Sequence, residues 1–347
     1  MHRRRVPAGP TLAVALVVAV VLVACGGGDG DGRTRRRQAP PTTEAPPVAP
    51  LTGLADPDGQ AQGRPALTVK VDNLDGQGVR PQSGLEAADV VYEEVTEYGI
   101  TRFAAVFQSQ VAADVGPIRS VRAIDPDLVW PLGGVFAYSG GAGPNVERIR
   151  QAPVNSLDET AAGDAMYRSE TKDAPHDLFG RTQALFDRGG QPVPPPPLFS
   201  YLGKRGSFAG EPVVAFTAGF ALGYAPTYTY DSATRTWKRD IGGQPFVMAN
   251  GAQIAPTNVI VQFTQYTGGG EGNVIGEGDA WVFSDAKLVR GRWVRPAREQ
   301  PAQYLDAAGK PIELVPGPTW VELLPIGAPV DVTAPAPTPS APAPPRT

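Results

Sequence analysis

One cysteine, Cys25, closes an apolar run, and the chain has no second cysteine to pair with it. Whatever it folds into must be held by its core and its hydrogen bonds, with no disulfide and no Cys/His zinc site. Upstream of the run stand Arg3, Arg4 and Arg5; the run itself, Leu12 to Val23, carries no charge and ends in Leu22-Val23-Ala24-Cys25. Basic residues, an apolar stretch and small residues before a cut form a secretory signal peptide. A cysteine at the cut adds a lipid acceptor. The run is shorter than the roughly 20 residues a spanning helix needs. Residues 1–24 are therefore expected to be removed by general secretion. The mature chain would start at a diacylglycerol-modified Cys25 and sit on the outer face of the cytoplasmic membrane.

Charge and residue usage narrow the function. Without residues 1–24 the chain holds 28 basic and 35 acidic residues, a net charge of about −7. An acidic protein tethered to a membrane is a poor nucleic-acid binder, and no nucleic-acid partner is expected. His2 leaves with the signal, so His176 is the sole histidine of the mature chain. No Asp-x-Asp-x-Asp-Gly run is present, so neither a metal nor a cofactor is expected.

Forty-one glycines and 38 prolines cut the chain into short elements. Residues 25–50 hold few large apolar side chains after Cys25 and read as a disordered tether. The Pro/Ala tract at 331–347 reads as an extended, disordered tail. Between them, Gly189 to Val193 and the four prolines 194–197 interrupt any helix or central strand. The expected division is an N-terminal domain over 51–190, a Pro-rich linker over 191–211 and a C-terminal domain over 212–330. The first part mixes strands (66–72, 90–96, 100–109, 135–139) with helical stretches (145–151, 182–188). The second is a run of strands joined by short turns, which favours antiparallel pairing. The fold class is α+β, in two joined parts.

The stretch from Val135 to Ile149 reads as a strand, a glycine-rich loop and a helix with Pro144 in its first turn. Ser139, Gly140, Gly141 and Gly143 would offer N–H groups beside a helix N-terminus, a setting for an anion. Arg102, and Arg119, Ser120 and Arg122 in Gly116-Pro-Ile-Arg-Ser-Val-Arg122, add guanidinium groups that match carboxylate or phosphate oxygens. The competing reading pairs these arginines with Asp89, Glu93, Glu94 or Asp125, and treats the glycine loop as a tight turn. Arg119 and Arg122 share a face only if the chain turns between them. His176, in Asp173-Ala-Pro-His-Asp-Leu178, could act as a base oriented by an aspartate, or be a loop histidine held by backbone. No Gly-x-Ser-x-Gly elbow or Ser-x-x-Lys accompanies it. Four tryptophans, Trp237, Trp281, Trp293 and Trp320, fall in the second half, where a β core is their usual place.

Read together, Arg80-Pro-Gln-Ser-Gly-Leu85, Ala88-Asp-Val-Val-Tyr-Glu93, the Gly116–Arg122 motif, Ser139-Gly-Gly141, Ala174-Pro-His-Asp-Leu178, Asn258-Val-Ile-Val261 and Gly317-Pro-Thr-Trp-Val321 resemble, in order, the YerB-like lipoprotein family. The resemblance spans about 50–325. It implies secreted lipoproteins built of two joined α+β parts, and no particular reaction. Two departures stand out. Asp177 occupies a position where the family pattern implies an amide. Ser284-Asp-Ala-Lys287 lacks the Asp-Gly of a hairpin tip, which argues against a two-residue type I′ turn. The function expected is a lipid-anchored envelope protein that binds an anionic envelope ligand or a protein partner without catalysis. The alternative is an envelope hydrolase or transferase using His176 beside an arginine-lined pocket.

Overall fold

The computed structural model describes residues 47–189, 192–221, 223–268 and 270–337. The expected signal segment, Cys25, most of the expected tether and the end of the expected tail lie outside them. The described residues all fall in one compact unit.

Its frame is a long mixed sheet. In chain order the strands are β1 (Leu67–Asp72), β2 (Val90–Val95), β3 (Thr101–Phe107), β4 (Val135–Ala137) and β5 (Asn155–Leu157) from the first part. A second, smaller sheet uses β6 (Ala215–Ala218), β7 (Pro226–Asp231) and β8 (Thr236–Ile241). The long sheet then resumes with β9 (Asn258–Thr267), β10 (Gly276–Ser284), β11 (Lys287–Arg295), β12 (Gln303–Leu305) and β13 (Thr319–Pro325), and β14 (Val330–Thr333) closes the small sheet. The order in the long sheet is β12-β11-β10-β9-β13-β2-β3-β1-β4-β5, and in the small one β8-β7-β6-β14 with a two-residue strand outside β8. Two helices matter here, α1 (Gly143–Gln151) and α2 (Thr182–Asp187).

The strands at the centre are rich in β-branched and aromatic residues and are buried almost throughout, as strands covered on both faces must be. On one face Val69, Val71, Phe103 and Phe107 pack with Phe216, Trp237 and Trp320; on the other Val90, Ala104 and Val106 pack with Ile260, Val282 and Trp293. Three of the four second-half tryptophans are thus core residues. Trp281 is partly exposed and lies under the Arg290 guanidinium.

Both expected parts are recognisable, mixed strand and helix first and largely β second, but they are not separated as expected. β13 runs parallel to both neighbours, with Thr319 opposite Val90 of β2 and Asn258 of β9. One sheet therefore crosses the expected boundary, and each face of the core draws on both parts. The 191–211 stretch does not act as a spacer either. Leu198, Phe199 and Phe208 are buried, and Ser200–Tyr201 pairs with Glu313–Leu314. Proline stops a ladder, but apolar neighbours still dock where surface can be buried. The edges of the fold also lie further out than expected. Val48 bridges Ala55 and Ala49 is buried, so the tether ends before residue 50. Residues 331–333 belong to β14, paired with β6, rather than to the tail.

The Ser284–Lys287 turn also differs from expectation. Ser284 pairs with Lys287, and both residues between them, Asp285 (φ 47°) and Ala286 (φ 57°), are left-handed, the type I′ form. A left-handed alanine costs about 1–2 kcal/mol. The unbroken pairing of β10 with β11 from Gly276–Arg295 down to Ser284–Lys287 imposes it, and Asp285 is held by Arg235 and Tyr230.

A buried ion network and an arginine cluster

Successive side chains of a strand point to opposite faces. Glu93 and Glu94 in the middle of β2 therefore put a carboxylate into each half of the core, and both are fully buried. Each needs a cation. Glu94 meets Lys70 of β1, which also reaches Asp125 at 2.8 Å. Glu93 meets Arg239 of β8, whose Nη2 donates to Glu93 Oε2 at 2.6 Å and whose Nη1 donates to Glu322 Oε1 at 2.6 Å. Glu322 stands opposite Glu93 in the β2–β13 register. Tyr224 and Tyr228 accept further bonds from Arg239, and its guanidinium lies 4.7 Å from the Trp320 ring and 5.3 Å from the Tyr228 and Phe246 rings.

Burial and the adjacent charge of Glu93 push the Glu322 carboxyl up to about 8. Burial and the charge of Asp125 push Glu94 up to about 7, against the pull of Lys70. Burial also works against the charge on Glu93, but Arg239 overrides it and holds that group below the usual carboxylate range. Glu322 and Glu94 thus bind their protons more tightly folded than unfolded, so their contribution is present at low pH and lost as pH rises through about 7 to about 8. Glu93 has the opposite sign and loses its contribution on acidification below the ordinary carboxylate range. Stability is expected to fall from about pH 5 to above pH 8. Urea denaturation across that range checks this; a midpoint that climbs with pH would contradict it.

The arginines singled out from sequence gather on the Lys70 side of the sheet. Arg102 leaves β3 and donates from Nη1 to the Ser120 carbonyl at 3.1 Å, and Arg122 Nη1 approaches the same oxygen at 3.4 Å. Arg122 Nε donates to Glu97 at 2.7 Å. Arg119 Nη1 donates to the Pro175 carbonyl at 3.0 Å, and its Nε lies 3.0 Å from Asp72 Oδ2 with geometry short of a hydrogen bond. His176, 4% exposed, shares that Asp72 oxygen through Nδ1 at 2.8 Å. Between Arg119 and Arg122 the chain changes partner, with Ile118 bridging Val71 and Val121 bridging Gly141, and Arg102 and Arg122 both reach the Ser120 carbonyl. Burial first, then the charges of Arg122 and Arg119, lower the Arg102 guanidinium to about 10, although Asp72 and Glu94 oppose them.

None of the expected carboxylates pairs with these arginine side chains in the way anticipated. Asp89 binds Gln108 and Ser109, Glu93 binds Arg239, Glu94 and Asp125 bind Lys70, and Asp125 takes only the backbone N–H of Arg122. The partners are Asp72 and Glu97, which sequence reasoning missed. The signal for the buried network was present all the same, since adjacent acids inside an apolar strand demand cations from other strands.

The glycine loop lies beside the cluster through its backbone. Ser139 N donates to Arg119 O at 2.9 Å and Val121 N to Gly140 O at 3.1 Å. Gly141 is required by packing, since a Cβ there would meet Val121 Cγ1 at 2.7 Å. Gly143 opens α1, with Pro144 in its first turn. The Ser139 hydroxyl donates to Glu159, which is bound in turn by Arg168, the partner of Asp177. An acid at 177 is thus used as an ion-pair partner. His176 Nε2 faces the Gln77 amide oxygen at 3.3 Å, with neither Ser120 nor Ser139 placed against it by a hydrogen bond.

The first part of the chain matches the family model described as "Protein of unknown function (DUF3048) N-terminal domain" over residues 51–191. The second matches the corresponding C-terminal domain over 216–321. The curated protein "Putative lipoprotein YerB" of Bacillus subtilis (strain 168) is 28% identical over 313 residues, covering 84% of this chain and 90% of the relative. The crystal structure of YerB protein from Bacillus subtilis superposes with a TM-score of 0.70 at 22% identity, over 82% of this chain and 99% of that one, and shares the fold. The chain therefore belongs to the YerB-like family described as protein of unknown function (DUF3048), both of whose domains it carries.

Proposed function

We propose that this is a lipid-anchored protein of the cell envelope that binds an anionic ligand, without catalysis, at the Arg102–Arg119–Arg122 cluster. The carrying observation is the charge balance around Arg102. Three guanidiniums converge; among the described residues only Asp72 and Glu97 contact them as acids, and Arg102, 8% exposed, has no carboxylate among its hydrogen-bond partners there and a buried Nε without an acceptor. An added anion would offset that mutual repulsion and accept charge-assisted bonds. The description of the Bacillus subtilis relative as a lipoprotein supports that part of the reading. Among the described residues no helix is long and apolar enough to cross a membrane, so in this reading attachment rests on Cys25.

Isothermal titration of the full chain in lipid nanodiscs with inorganic phosphate and glycerol 3-phosphate tests the site. Binding is expected to weaken as salt rises and to drop about tenfold in Arg102→Gln, the loss of one charge-assisted contact. Absence of binding by both probes would leave the three arginines as fold-holding groups.

A further inference from the structure

A cavity of about 330 Å³ opens on the Glu93 side of the sheet, where the end of the β2–β3 hairpin meets the β7–β8 part of the small sheet. Its size is at the lower end of the range for small-molecule sites. Ile100 and Ile241 supply apolar wall, and Asn73, Thr101 and Tyr224 supply polar wall. Those three polar groups are locked before any ligand arrives. Asn73 Nδ2 lies 2.8 Å from both Thr101 Oγ1 and Tyr224 OH and 3.0 Å from buried Glu93, and Arg239 holds Tyr224 from behind.

Arg80 is the one cation in the lining. Its guanidinium lies over the Tyr224 and Phe246 rings, and Nη2 is fixed to Asn73 Oδ1 at 3.1 Å. Nη1 reaches Asp75 at 3.1 Å, but that carboxylate is 85% exposed, so the pair is solvent-screened and readily exchanged. Arg80 Nε is buried without an acceptor. The inward-facing charge is therefore positive, single and only partly matched, beside an apolar wall.

We propose that this cavity binds a small amphiphilic carboxylate, its carboxylate on Arg80 and its apolar body against Ile100 and Ile241. A phosphate dianion fits less well, since one guanidinium faces it here. The assignment is independent of the Arg102 cluster. The test is saturation-transfer NMR on the full chain in lipid nanodiscs with 4-phenylbutyrate as probe, 4-phenylbutylamine as its charge-reversed control and empty nanodiscs as blank. The carboxylate is expected to bind in preference to the amine. Kd should rise at least about tenfold in Arg80→Gln, which removes the charge, and in Ala225→Phe, which fills the cavity and leaves Arg80 in place; melting curves confirm that the variants fold. Arg102→Gln should leave Kd unchanged. No signal above the blank, equal binding of the amine, full binding by both Arg80→Gln and Ala225→Phe, or loss in Arg102→Gln alone would each overturn the proposal.

Discussion

Replacing Arg239 with methionine is expected to destabilise the protein by roughly 3–5 kcal/mol, the cost of stranding a buried charge. Arg239 has no exposed surface, and neither have its partners Glu93 and Glu322. Without the guanidinium the two carboxyls face each other across the β2–β13 register inside a dry core. Glu322, pushed up to about 8, already holds its proton at neutral pH, so Glu93 is the charge left unpaired. The variant should recover part of its stability in Arg239→Met/Glu93→Gln, and also on acidification, which lets Glu93 take a proton. Glu322→Gln alone should cost little and should flatten the expected decline of stability toward pH 8. Urea midpoints at constant m-value measure all four proteins. A loss below about 1 kcal/mol in Arg239→Met would mean that Arg239 is not what offsets the buried charge of Glu93.

Replacing Cys25 with alanine is expected to move the protein from the membrane fraction to the soluble one, or to leave it unprocessed. In the proposed reading the Cys25 sulfur carries the lipid, and the residues that follow it in the sequence include few large apolar side chains that could hold a bilayer. The folded body offers no alternative spanning helix among its described residues. Fractionation with and without detergent decides the matter. A processed Cys25→Ala protein that stays membrane-bound would exclude lipid anchoring through this residue.

Local pattern in the sequence was enough for most elements. Val90–Val95, Thr101–Phe107, Gly143–Gln151 and Thr236–Ile241 follow from periodicity, β-branching and Gly/Pro punctuation, all of which act over a few residues. The same local information placed Arg102, Arg119, Arg122 and His176 as noteworthy groups, because charge inside apolar strands and turns is visible along the chain. What pairs with them was not visible. Asp72 and Glu97 were chosen by the bridge of Ile118 to Val71 and by the turn after β2, and these depend on where the chain returns.

That the two parts share one sheet was hidden for the same reason. Proline and glycine at 189–197 do end elements, but they carry no information on whether the next elements dock elsewhere. That was decided by β13, which slots between β2 and β9 and so turns two compositional regions into one sheet. Its Glu322 can be buried there only because Arg239, from the small sheet, comes within bonding distance of both carboxylates. Turn chemistry was overruled too at Asp285 and Ala286, where long strands set the backbone of the residues that join them. Sequence by itself determined the elements, the absence of disulfides and the charges that had to be satisfied. Tertiary structure alone decided the partners, because pairing between distant strands depends on three-dimensional register, which no short window of the chain contains.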